Sequence, residues 1–189
     1  MALLSAICAR AARALPLVAL LVAERGLAAQ AARASEYEVK AVFLFNFAQF
    51  VDWPPEAFPA PDTPLVICVL GQDPFGPALD QTVRDERLGG RPFQVRRYQS
   101  VDEIKTCHIL FISRPEGNRP EAILAGLRNS PILTVSDADG FAERGGMIRF
   151  VTDRNHIRLQ INPDAAQAAS LTISSKLLRV AEIAAPRGP

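Results

Sequence analysis

The chain has 189 residues, 49% of them hydrophobic and 22% charged, with 21 Lys and Arg against 20 Asp and Glu. A net charge of +1 provides no basic surface of the kind that holds nucleic acid or an anionic bilayer. The first 34 residues carry Arg10, Arg13, Arg25 and Arg33 against Glu24 alone, which leaves 17 basic and 19 acidic residues after them and strengthens that exclusion.

Residues 1–34 read as an export leader. Arg10 and Arg13 precede an uncharged apolar run from Ala14 to Ala23, and small residues continue to Ala32-Arg33-Ala34. A basic start, a short apolar core and an A-x-A exit is the layout of a secretory signal peptide. At about 1.5 Å per residue the run covers roughly half of a ~30 Å hydrocarbon slab, too short to span it. The alternative is a frayed N-terminal helix of a cytosolic protein, but this stretch has no amphipathic face to bury. Glu24-Arg25 breaks the run early, so the cut falls after Ala23, Ala29 or Ala34, with the later two favoured. The expected organisation is a leader over 1–34, one α/β domain over 35–185 and a disordered tail over 186–189. No later stretch reaches ~18 uncharged apolar residues, so the mature protein is expected to be soluble, in the periplasm.

Glu36 to Val51 predicts a helix without Gly or Pro. Val39, Val42, Phe43, Phe47 and Phe50 form one stripe, while Ala41, Leu44, Phe45, Ala48 and Val51 fill the other faces. A helix apolar all round needs cover all round, from its own domain or from a partner. Trp53-Pro54-Pro55 ends it. Leu65–Leu70 is a continuous apolar run of buried-strand type, and Asp73 is placed to cap a helix from Pro74 to about Glu86. Strands follow at 93–98, 108–113 and 132–136, with a helical turn at 100–105 and a helix at 121–128. Segments 147–152 and 157–161 flank a polar tetrapeptide and read as a hairpin. Asn162-Pro163 starts a last helix to about Ala184. Strands alternating with helical pieces imply a three-layer α/β sandwich: a mostly parallel sheet, helices on both faces, a C-terminal antiparallel hairpin and a terminal helix.

Enzymatic motifs are poorly matched. Gly71-Gln72-Asp73-Pro74-Phe75-Gly76 keeps only the outer glycines of a dinucleotide fingerprint, and Asp73 sets a carboxylate where pyrophosphate would lie. There is no phosphate-binding G-x-x-x-x-G-K and no G-x-S-x-G elbow. His108 begins a strand and His156 sits in a polar turn, both ordinary structural positions. Asp137-Ala138-Asp139-Gly140 opens like a calcium loop, but Ile148 stands where the closing glutamate belongs. No catalytic residue, metal or cofactor is expected, and the chain reads as a non-enzyme.

Cys8 leaves with the leader, so Cys68 and Cys107 remain: an even number, in a compartment that oxidises thiols. They lie in or beside two apolar strands that can be neighbours in a doubly wound sheet, within bonding range. Either they are bonded, closing a loop of about 40 residues worth roughly 4 kcal/mol, or they are two buried thiols acting as small hydrophobes. Their spacing excludes a C-x-x-C redox catalyst. The aromatic helix and its exit, with Phe43, Phe45, Phe47, Phe50 and Trp53, form the best partner-binding candidate, with core packing as the competing account.

Taken together, KAVFLFNFAQFVDWP (40–54), ICVLGQDPFG (67–76), GRPFQVRRY (90–98), CHILFIS (107–113), ILTVSDADGFAERGGMIRFV (132–151) and RLQINPDAAQAASLTISSKLLRVA (158–181) resemble the YfiR family along the whole mature chain. The resemblance implies a periplasmic, non-enzymatic regulator with an α/β sandwich, usually a homodimer. It further implies repression of an inner-membrane diguanylate cyclase through that enzyme's periplasmic sensor domain, which lowers cyclic di-GMP and restrains biofilm. A disulfide at Cys68 and Cys107 is implied too. A second cysteine pair, carried by some members near the segment matching 141–150, has no counterpart here. The alternative from another class is a periplasmic small-molecule-binding module with its pocket at the carboxyl ends of the strands.

Overall fold

The structure is a computed structural model and describes residues 30–185 apart from 118 and 155. The leader as far as residue 29 and the tail at 186–189 lie outside those residues. The long first helix, α1, covers residues 30–47. Strand β1 (Val51–Asp52) and a 3-10 turn (Pro55–Ala57) lead to β2 (Leu65–Leu70), α2 (Pro77–Val83), β3 (Arg87–Leu88) and β4 (Arg91–Tyr98). A second 3-10 turn (Val101–Glu103), with Ser100 Oγ accepting the Asp102 N–H, precedes β5 (Ile109–Ile112). Then come α3 (Arg114–Gly117), α4 (Pro120–Gly126), β6 (Leu133–Ser136), β7 (Ile148–Asp153) and β8 (His156–Ile161). The chain closes with α5 (Pro163–Ala168), β9 (Thr172–Ile173), α6 (Ser175–Leu178) and β10 (Glu182–Ile183).

Among the described residues the main sheet has eight strands in the order β10-β8-β7-β6-β5-β2-β4-β3. Pairing is parallel from β4 through β2, β5 and β6 to β7, and again between β8 and β10. The hairpins β7–β8 and β3–β4 are antiparallel. Strand β2 is buried at every position because both of its faces are covered. Alternation then sorts its side chains. Leu65, Ile67 and Val69 join Ala41, Leu44, Phe47, Leu79 and Leu177 in one core. Val66, Cys68 and Leu70 join Leu110, Ile112 and Phe141 in a second, covered by Ile123, Leu124 and Leu127. These are the expected three layers.

Three local expectations change. The helix after β2 begins at Pro77, not at Pro74: Gly76 takes φ 52°, which no helical residue adopts, and Asp73 Oδ1 accepts the Phe75 N–H to close a turn instead. The buried face of α1 is Lys40, Ala41, Leu44 and Phe47, while Val39 and Val42 from the expected stripe are 46% and 47% exposed. Finally, residues 163–184 are four short elements and not one helix. Helix α5 stops where Ser170 takes φ 61°; β9 then pairs antiparallel with β1, and β10 adds to the sheet beside β8. Leu171 and Ile173 are buried at alternate positions, a strand spacing, and their burial outweighs the helix propensity of the preceding alanines. A hairpin the motifs did not announce, β3–β4, turns on Gly89-Gly90, both at positive φ as a two-residue type I′ turn requires.

Candidate functional site

Strands β2 and β5 are direct neighbours, with Cys68 opposite Leu110. That adjacency brings Cys107, two residues before β5, to Cys68, and the two form a disulfide with Cα atoms 6.0 Å apart. The sulfurs lie within the second core. Just beyond, His108 is 2% exposed and fully engaged by backbone. Its Nδ1 accepts the Val66 N–H at 3.0 Å, so its Nε2 carries the proton and donates to the Ala57 carbonyl, also at 3.0 Å. Phe58 stacks on the imidazole at 4.5 Å. Burial, with the nearby Arg91 charge, pushes the His108 pKa down, although the Ala57 carbonyl works the other way. His108 is thus a neutral brace between the Pro55–Ala57 turn and β2. Beside it, at the amino ends of β2, β5 and β6, opens a cavity of about 500 Å³ lined by Arg96, Val101, Ile104, Lys105, Cys107 and Leu127 among others.

At the opposite, carboxyl ends of the strands stands a buried ion pair that the motif reading did not single out. Lys40 Nζ and the Tyr37 hydroxyl both donate to Asp137 Oδ2 at 2.7 Å. The Lys40 and Asp137 side chains are 0% and 1% exposed. Burial opposes ionisation of Asp137, but the Lys40 and Tyr37 hydrogen bonds and the Lys40 and Arg114 charges outweigh it and hold the carboxyl below its ordinary value. The pair ties α1 to the end of β6. One signal for it was available: Lys40 is a single cation inside an otherwise apolar helix face. Its partner could be found only through the fold.

At the carboxyl ends of β2 and β5, where a doubly wound sheet usually takes ligands, the chain packs closely around two glycines. A Cβ at Gly71 would lie 2.5 Å from Ser113 Oγ and 2.6 Å from Glu116 Cγ. One at Gly117 would lie 2.6 Å from Ser136 Oγ. Arg97 adds an exposed clasp to Asp73 at 2.6 Å and to Asp80 at 2.5 Å, through which the Asp80 carboxyl is pulled below its ordinary value.

The five aromatic candidates separate by burial. Phe47 is 1% exposed, sealed against Phe150 in the first core, so in this chain alone it offers a partner no surface. Phe43, Phe45, Phe50 and Trp53 are half-buried against that core. Phe43 meets Phe150 edge-on and Phe45 meets Phe93. The Trp53 indole N–H is buried without a hydrogen-bond partner. Exposed large apolar side chains on α1 are instead Val39 and Val42. Among the described residues no group of three His, Cys, Asp or Glu could hold a metal, and no helix is long and apolar enough to cross a membrane.

A family model described as YfiR/HmsC-like matches residues 37–182, from Tyr37 within α1 to Glu182 at the start of β10. No curated protein matches the chain.

Proposed function

The chain belongs to the YfiR/HmsC-like family, and on that premise we propose that it is a periplasmic regulator that binds the periplasmic sensor domain of an inner-membrane diguanylate cyclase and holds the enzyme inactive. The family is regulatory and non-catalytic. The observation that carries the reading is the extent of the match, which takes in α1 from Tyr37 onward, both cores and both disulfide cysteines. An oxidised Cys68–Cys107 pair supports export, because such bonds persist where thiols are not kept reduced.

Repression requires preference between states. The regulator must bind the inactive cyclase more tightly than the active one, and a shift from 1:99 to 99:1 needs about 5.5 kcal/mol of difference. Apolar contact concentrated in a few anchors can supply that. The proposed contact is the open side of α1, centred on Val39 and Val42 with Phe43 and Phe45 at its margin, presented by a homodimer. Phe47 contributes by keeping the helix in place.

The test is genetic complementation in a strain lacking this protein, with cyclic di-GMP as the readout. The wild-type chain should restore low cyclic di-GMP, and co-purify with a membrane diguanylate cyclase. Val39→Asp combined with Val42→Asp should fail to restore it while the exported protein keeps its melting temperature within about 2 °C, since surface substitutions stay within ~0.5 kcal/mol. Full complementation by the double variant would remove α1 as the contact; loss of the protein without any change in cyclic di-GMP would remove the proposed function.

A further inference from the structure

The two sulfurs of the disulfide are not equivalent. Cys68 is 0% exposed at the centre of β2, hemmed by Arg96 of β4 on one side and Leu110 of β5 on the other. Cys107 precedes β5, is 8% exposed and lines the amino-end cavity of about 500 Å³; Cys68 is not part of that lining. Of the two cysteines, only Cys107 borders this cavity. The same cavity carries two cations, Lys105 and Arg96, against one carboxylate, Glu56. His108, also in its wall, adds no charge, because both ring nitrogens are committed to Val66 and Ala57 and its pKa is depressed. Val101, Ile104 and Leu127 give it an apolar floor.

We propose that Cys107 is a thiol-modification site: a small anionic thiol enters the amino-end cavity, is drawn by Lys105 and Arg96, and attacks the Cys107 sulfur. In the first step the thiolate RS⁻ forms a new S–S bond to Cys107 as the Cys68–Cys107 bond breaks. The electron pair leaves on Cys68, which takes a proton from water. In the second step another RS⁻ attacks the thiol-derived sulfur of the mixed disulfide, releasing RSSR and the Cys107 thiolate. The balance is two thiols oxidised to RSSR and one protein disulfide reduced to two thiols. Cys68, leaving as a thiolate among apolar neighbours, is a poor leaving group, so the mixed disulfide forms slowly and recloses readily. Access, not leaving-group quality, sets the direction. This chemistry goes beyond the regulatory reading and holds whatever the partner is.

Limiting glutathione is added to the oxidised mature protein, quenched in acid, and the unfolded product alkylated and peptide-mapped. Glutathione should map to Cys107 and the alkyl label to Cys68, with a rate proportional to thiol concentration. Lys105→Glu with Arg96→Glu, both at exposed positions, should slow glutathione about fivefold or more at low salt yet not slow the cationic thiol cysteamine, each normalised to its thiolate fraction. The wild-type mapping stands even where a variant proves unstable. Glutathione on Cys68, a rate independent of thiol concentration (opening only through unfolding), or equal slowing of both thiols would each overturn the proposal.

Discussion

At His108 the imidazole is locked as one tautomer, accepting from Val66 and donating to Ala57. Protonation would place a second N–H against the Val66 N–H. Because the folded pKa is lowered from 6.5, the unfolded chain takes up a proton that the folded chain refuses, so this contribution is complete above about pH 6.5 and is lost as pH falls below it. Thermal melting should accordingly decline from about pH 7 to about pH 5. His108→Phe should be less stable at neutral pH by about 1–3 kcal/mol, from the orphaned Val66 N–H, yet lack that decline; parallel pH profiles for both proteins would contradict this. Asp137 acts in a separate window. Its carboxyl is held below 3.8, so its contribution disappears only in stronger acid. Lys40→Met, which takes the buried cation from that carboxylate and leaves it the Tyr37 hydroxyl and the more distant Arg114, should cost about 3–5 kcal/mol in urea titration, and adding Asp137→Leu should recover most of it. The exposed Arg97–Asp80 clasp should matter far less, ~1 kcal/mol at most. Aromatic residues that look alike in the sequence part company here too: Phe47 is core, whereas Phe43 and Phe45 keep one edge outward.

Elements show why periodicity reads some segments well and others poorly. Apolar runs such as 65–70 and 109–112 have one stable use, as strands covered on both sides, and they are found where their composition places them. The segment after Asn162 has competing signals. Its alanines favour helix, but the fate of its apolar residues is decided by the strands it meets: β1, distant in the chain, pairs with β9, and β8, just before it, pairs with β10. Ile173→Ala should therefore cost about 2–5 kcal/mol as a core truncation, whereas Val180→Ala, at a site 74% exposed, should stay within ~0.5 kcal/mol. Denaturant titration of the two variants distinguishes this arrangement from a single amphipathic helix, in which both would lie on ordinary helical turns. Helix α1 follows the same logic: a sequence apolar on every face does not reveal which face is buried until the sheet beneath it is in place.

For the molecule as a whole, the disulfide joins central strand β2 to the segment leading into β5 and spans 39 positions of chain. Loop-closure entropy values it at roughly 4 kcal/mol, a large share of a typical net stability of about 5–15 kcal/mol. Cys68→Ala with Cys107→Ala should lower stability by that order while preserving the fold, because the surrounding core remains apolar. Unaltered stability on reduction would show that the unfolded chain is not constrained as supposed. The α/β layering, the positions of the central strands, the bounded cysteine arithmetic and the family resemblance were all legible from residue order, since each depends on local composition or on spacing along the chain. Which cysteine faces a cavity, which partner neutralises Lys40 and which apolar side of α1 remains open were decided only in three dimensions, because each depends on what a distant segment of chain places against the residue.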